Sequence, residues 1–182
     1  MKRVLPLLLA MFAIVLFSCS KSEKTTTVAG DASWKFGDYT YVKGTSAQSS
    51  SANGSGSTIT AMTVSTMGDG GNYGVFSGSA LVITFYSNLG EGTYTLGSTE
   101  AMVSNPGLKI MNITCTIGTA VNTGAVLYDM TTANGTAEVT KDAKGNYHVS
   151  IKSAVTLTKK VIVGGGIASA KDTYALTVNN AN

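Results

Sequence analysis

His148 is the one histidine of the chain, and it decides which chemistries the residues can support. A single imidazole excludes sites that need two from one chain, the HExxH zinc arrangement among them, and a Ser-His-Asp triad would depend on it wholly. Strand alternation sets His148 with Ser150 and Lys152, opposite Tyr147, Val149 and Ile151, so it reads as a polar-face residue beside Glu138 of the preceding strand. An exposed pair of that kind is worth at most about 1 kcal/mol and is commoner than a catalytic dyad. Glycosidase chemistry needs two carboxylates flanking a cleft. Glu91 and Asp142 instead fall in turns, Glu138 on a solvent face and Glu23 in a polar tether. Asp69 is the sole carboxylate of the Gly68 to Gly74 stretch, too little for calcium, and that stretch lacks the Lys-Ser/Thr of a phosphate-binding loop. Haem held by His148 with Met62, Met67, Met102, Met111 or Met130 competes with the usual role of methionine as core filler. The sequence therefore predicts no catalytic residue, no metal site and no cofactor.

The two cysteines, Cys19 and Cys115, point in different directions. Lys2 and Arg3 open a leader whose apolar run, Val4 to Phe17, is short for a bilayer span and ends in Leu16-Phe17-Ser18-Cys19. That tetrapeptide resembles a bacterial lipobox, which implies cleavage before Cys19 and a diacylglyceryl thioether on its sulfur. Buried methylenes contribute about 0.8 kcal/mol each, and stable anchoring takes about two chains, so a fully acylated Cys19 would hold the protein on its membrane. Ser20 to Thr27 carries no apolar periodicity and reads as a tether. Cys115, in Ile113-Thr114-Cys115-Thr116-Ile117, shares a strand face with two isoleucines and reads as a small buried hydrophobe. With Cys19 lipidated, no disulfide framework is available.

Aromatic residues are the remaining candidates. Trp34, Phe36 and Phe85 fit a core, whereas Tyr39 and Tyr41 fall on the opposite phase of a strand read over Trp34 to Lys43. With Tyr73 in the glycine-rich stretch, they are the candidate ligand-binding residues, since planar rings stack on sugars or enclose small apolar ligands.

Once the leader and its two cations are removed, the thirteen basic residues fall to eleven against ten acidic ones, and no arginine remains. Nucleic acid is excluded as an expected partner, because phosphate tracking needs clustered cations and base reading leans on arginine.

Beyond the leader, short runs rich in Val, Ile, Thr, Tyr and Phe recur between Gly and Asn clusters, and none sustains a helical period. They predict strands at Trp34 to Lys43, Thr58 to Met67, Ala80 to Ser87, Gly92 to Leu96, Leu108 to Ile117, Ala125 to Thr132, Thr136 to Lys141, Asn146 to Thr158 and Thr173 to Asn179. The expected fold is all-β, an antiparallel sandwich of about nine strands with meander hairpins, or alternatively a small up-and-down barrel. Asn134-Gly135 is the preferred pair of a two-residue type I′ turn and predicts a hairpin that sets Met130 opposite Val139. Asp142 to Gly145 and Asn88 to Gly92 predict two further hairpin turns. Gly44 to Ser57 contains no aromatic, charged or branched aliphatic residue and is expected to be a mobile loop. The expected organisation is a signal peptide over 1–18, a lipidated cysteine and tether over 19–32, and one domain over 33–182.

The lipobox, the Trp34-Lys35-Phe36-Gly37-Asp38-Tyr39 opening, the Leu81 to Phe85 strand followed by Gly92 to Leu96, and the Gly135 to Thr140 segment together resemble small Bacteroidetes-type lipoproteins with an all-β domain and no assigned activity. The resemblance implies an envelope location and supplies no catalytic residue, and the expected attachment is to the outer membrane, at its periplasmic face or the cell surface. Lipoprotein pilins share the lipobox and β-architecture, but their maturation involves cleavage after an arginine. The expected function is a lipid-anchored, non-catalytic binding or structural module of the cell envelope. Its partners would be the membrane and a glycan, a small apolar ligand or another envelope protein. A binder of carbohydrate or apolar ligand through exposed aromatics is the alternative, and an enzyme the third.

Overall fold

The computed structural model describes residues 32–52, 56–66, 76, 78–119 and 124–182. Cys19, Met67, the Gly68 to Gly74 stretch and Tyr73 lie outside the described residues. Eleven strands follow one another: β1 (Ser33–Phe36), β2 (Tyr39–Val42), β3 (Thr45–Ala52), β4 (Thr58–Ser65), β5 (Ser79–Tyr86), β6 (Gly92–Leu96), β7 (Ile110–Thr119), β8 (Gly124–Asp129), β9 (Thr136–Lys141), β10 (Tyr147–Val163) and β11 (Thr173–Ala181). The all-β expectation holds. Among the described residues one short α-helix, α1 (Thr99–Ser104), interrupts the series, started by the Ser98 side chain accepting from the Ala101 N–H. Ser98 is the kind of N-cap that satisfies an otherwise orphaned amide.

All eleven strands belong to one mixed sheet, in the order β2-β1-β11-β10-β9-β6-β7-β5-β4-β3, with β8 also wedged between β7 and β10. The long strands β7 and β10 diverge. One end of the gap is filled by β8 alone, the other by the β9–β6 pair. The sheet ends, β2 and β3, are consecutive in sequence and joined through Lys43-Gly44. Lys43 N–H donates to Ala32 O, and Gly44 N–H to Ser65 O. The sheet is thus rolled around its core without a ladder between β2 and β3, so it is not a clean barrel.

Its two halves pack face to face, as sandwich layers do. Trp34 of β1 donates through its indole to Ser79 Oγ of β5 at 3.0 Å, and Phe85 of β5 meets Tyr147 of β10 edge-on at 5.2 Å. Trp34, Phe36, Phe85, Tyr94, Met62, Met111 and the Cys115 side chain belong to one buried cluster. Full burial of a Phe, Leu or Ile contributes roughly 1.5–3 kcal/mol, so this interior is the main favourable term of the fold. No buried side-chain nitrogen or oxygen lacks a partner among the described residues.

Several local expectations are corrected. The opening segment is two strands rather than one, because the chain reverses at Gly37-Asp38, where Phe36 pairs with Tyr39 and Trp34 with Tyr41. Positive φ at Gly37, with none at Asp38, is the pattern of a type II′ hairpin turn, which wants glycine in its first central position. The reversal resets the strand phase. Gly44 to Ser57, expected as a mobile loop, contains β3, whose eight residues pair with β4 from Thr45↔Ser65 to Ala52↔Thr58. Backbone pairing, with little apolar burial, holds this edge strand. Its polar side chains add hydroxyl pairs such as Ser50 with Thr60 at 2.7 Å.

No β8–β9 hairpin forms at Asn134-Gly135, because β8 spends both edges on β7 and β10. The connection instead lies on Leu96, which donates to Gly135 O and accepts from the Asn134 N–H. The chain does turn after β5, through a 3-10 turn at Ser87–Leu89, but β6 then pairs with β9 and runs parallel to β7. The middle of the domain is therefore not a simple meander. The β9–β10 hairpin is as expected, with Val149 opposite Val139.

Candidate functional site

A convergence of polar groups lies where β10 begins. There the β9–β10 turn, β3 and the chain after β11 border a cleft of about 280 Å³. The turn is organised by Asp142. One of its oxygens accepts from the Lys144 and Asn146 N–H groups at 2.9 and 2.8 Å, and the other from the Asn146 side-chain amide at 3.0 Å. An Asp that bonds its own downstream backbone preorganises a turn. The Asn146 side chain, followed by the Asn146 and Lys144 N–H groups and His148, pulls the Asp142 carboxyl down to about 2.

His148 follows two residues after Asn146 and is half-buried. Its Nδ1 lies 2.8 Å from Asn180 Oδ1 and its Nε2 3.6 Å from Asp142 Oδ2. An Asn180 Oδ1 acceptor suits a proton on Nδ1, and a hydrogen bond to Asp142 requires one on Nε2. With both nitrogens protonated, the Asp142 contact is charge-assisted. Asn180 itself holds φ 53, the one positive value at a non-glycine among the described residues, and its N–H donates to Ser150 Oγ at 3.2 Å. Asparagine is one of the few residues that tolerates this conformation.

Across the cleft, the Gln48 side chain of β3 bonds both backbone groups of Tyr147. Lys43 Nζ donates to Asn182 Oδ1 at 2.5 Å. The cleft groups thus answer one another. Their chemistry is that of a latch joining β3, the β9–β10 turn and the last strand.

His148 and Asp142 line this cleft, whereas the candidate ligand-binding residues Tyr39 and Tyr41 do not. Tyr41, proposed as exposed, is completely buried, stacks on Trp34 at 5.7 Å and donates to Phe76 O at 2.9 Å. Tyr39 is half-buried against Phe76, with ring centroids 4.8 Å apart. The Gly37-Asp38 reversal is the cause, since it carries both tyrosines back over Phe36 and Trp34. Glu138 pairs across from Ser150 and accepts from Thr93 Oγ1 at 2.6 Å, while His148 lies across from Thr140 and takes Asp142 as its acid. Sequence reasoning missed Gln48, Asn180 and Asn182. Asp142-x-Lys144-x-Asn146 was a readable signal for the turn, but nothing local marks the other three.

Cys115 is fully buried beside Ser79 Oγ at 3.6 Å, and burial pushes its thiol up to about 12. Such a sulfur is inert packing, as expected. Met62, Met102, Met111 and Met130 are likewise core residues. Among the described residues, no three His, Cys, Asp or Glu side chains converge as a metal site, and no helix is long and apolar enough to cross a membrane. No protein-family model, curated protein or solved structure matches this chain.

Proposed function

We propose that the protein is a lipid-anchored component of the cell envelope, acting as a non-catalytic binding or structural module. The observation that carries this reading is Leu16-Phe17-Ser18-Cys19 at the end of a short apolar leader with a basic start. The inward-turned Tyr41 and the mutually bonded cleft residues agree with a domain whose aromatic and polar groups serve its own architecture. With Tyr41 enclosed, the aromatic route to a sugar or apolar ligand would rest on Tyr39 and Tyr73. The attachment is assigned to the outer membrane, at its periplasmic or external face.

The test is fractionation of cells producing the wild type or Cys19→Ala in the presence of labelled palmitate. The wild type takes up label and sediments with membranes. Equal labelling of both proteins, or a wild type free in the soluble fraction, overturns the reading.

A further inference from the structure

A second groove, of about 340 Å³, crosses the outer face of β1, β11 and β10. Its origin is an irregularity in the β10–β11 ladder. Ile151 pairs with Val178 and Val155 with Leu176, so Lys152, Ser153 and Ala154 are answered by Thr177 alone. Bulges of this kind re-aim side chains and bend the strand that carries them.

The bulge brings Lys152 into a row of outward residues running across the strands. Lys35 of β1 pairs with Thr40 of β2 on one side and Thr177 of β11 on the other, and Lys152 lies beyond Thr177. Trp34, Phe36, Leu176 and Val178 alternate with these residues and are buried, which fixes Lys35 and Thr177 on the outer face. Neighbouring strands are about 4.8 Å apart, so the two lysines stand roughly 10 Å apart along the row. Among the described residues neither lysine has an ion-pair partner, in contrast to Lys159, which reaches Asp172 at 3.0 Å. No carboxylate among the described residues lines the groove, and Glu138, across the β10 ladder from Ser150, is engaged by Thr93. Ser33 and Asn179 complete the polar lining.

We infer that this groove binds an acidic polysaccharide, its carboxylate or sulfate groups taken by Lys35 and Lys152 and its hydroxyls by Thr177, Asn179 and Ser33. Two ammonium groups at this spacing, with no described carboxylate beside them, suit successive charges along a polymer, and the hydroxyl and amide groups between them suit a hydroxylated backbone. A membrane surface is the poorer match, because the apolar lining residues Ile151 and Val178 are buried and present nothing to insert. The inference goes beyond lipid anchoring and does not depend on it.

The experiment uses the full chain purified in a non-ionic detergent, with heparin and polygalacturonate as anionic probes, neutral dextran as control, and phosphatidylglycerol vesicles as the lipid arm. At least one anionic polymer binds at low salt, and binding weakens as salt rises, as expected where cations displace condensed counterions. The double variant Lys35→Gln/Lys152→Gln weakens that binding about tenfold, which is about 1.4 kcal/mol. Lys35→Arg/Lys152→Arg retains binding, whereas Lys144→Gln, in the distant β9–β10 turn, changes it less than about twofold. Equal losses from Lys144→Gln and the groove pair would make net charge the cause and overturn the proposal. So would failure of both anionic polymers to bind, dextran binding as tightly, or capture by the vesicles alone.

Discussion

The Gln48 side chain occupies the strand position next to Tyr147, donating to its carbonyl at 2.7 Å and accepting from its N–H at 2.9 Å. Beside β10, the β11 ladder reaches Ala181 opposite Val149. Tyr147 lies past that point, and the Gln48 amide supplies the donor and acceptor that a continuing strand would have supplied. One side chain thereby fastens the polar edge strand β3 to the centre of the sheet.

Gln48→Ala should therefore cost about 1–3 kcal/mol in denaturant unfolding, the usual range for two lost hydrogen bonds whose backbone partners are part-buried. Gln48→Glu keeps the acceptor and loses the donor, and should also destabilise. Amide exchange at Tyr147 should accelerate in both variants. Replacing Thr45 to Ala52 by a Gly-Ser link removes the whole β3 ladder and should lower stability by more than about 2 kcal/mol, whereas a plain surface change costs about 0.5 kcal/mol or less.

That strand also shows where sequence reading stops. Thr136 to Lys141 and Gly92 to Leu96 alternate apolar and polar residues, and both strands were legible to the residue. Thr45 to Ala52 has nothing to alternate, and what makes it a strand is the free edge of β4. Asn134-Gly135 carried a strong local turn signal, yet β8 had better partners on both sides. Tyr41 was misplaced by a phase argument that ran through Gly37-Asp38, although glycine followed by aspartate between aromatic runs is itself a hairpin cue. The β9–β10 turn was legible because Asp142 and Asn146 organise it locally. The His148–Asn180 contact joins residues 32 positions apart, a pairing no local pattern encodes.

Gly124 and Gly165 give a paired test of backbone packing. Both hold positive φ, 73 and 84. A β-carbon on Gly124 would come within 2.6 Å of Gly166 O and 2.9 Å of Gly164 O, whereas one on Gly165 meets nothing within 4 Å. Gly165→Ala should cost only the conformational penalty of about 1–2 kcal/mol. Gly124→Ala should cost clearly more, because backbone must move, and a melting comparison would show whether the three-glycine segment rests on β8 as described.

Tyr147 and His148 should respond differently to truncation. Tyr147→Ala removes a ring packed edge-on against Phe85 and should cost about 3 kcal/mol, in the range for deleting aromatic core contacts. His148→Ala loses the Asn180 bond and the Asp142 contact, and should cost about 1 kcal/mol, a typical hydrogen-bond contribution. Equilibrium unfolding of the two variants measures the contrast.

The Asp142 turn predicts an acid-sensitive term. Its carboxyl is held below the ordinary value of 3.8, at about 2, so the folded state favours the ionised form. A depressed folded pKa gives stability that is present above the unfolded value and is lost as pH falls through the folded one. Wild type should therefore lose stability between about pH 4 and pH 2, and Asp142→Asn should lose less over that interval. Titrating the carboxyl carbon of Asp142 by NMR, with Asn146→Ala moving its midpoint upward, checks the cause.

The central claim concerns Cys19, and mass spectrometry of the amino-terminal peptide of protein recovered from bacterial membranes tests it most directly. The account predicts a peptide that begins at Cys19 and carries a diacylglyceryl group on its sulfur. A mature peptide that begins elsewhere, or one with a free Cys19 thiol, would contradict it.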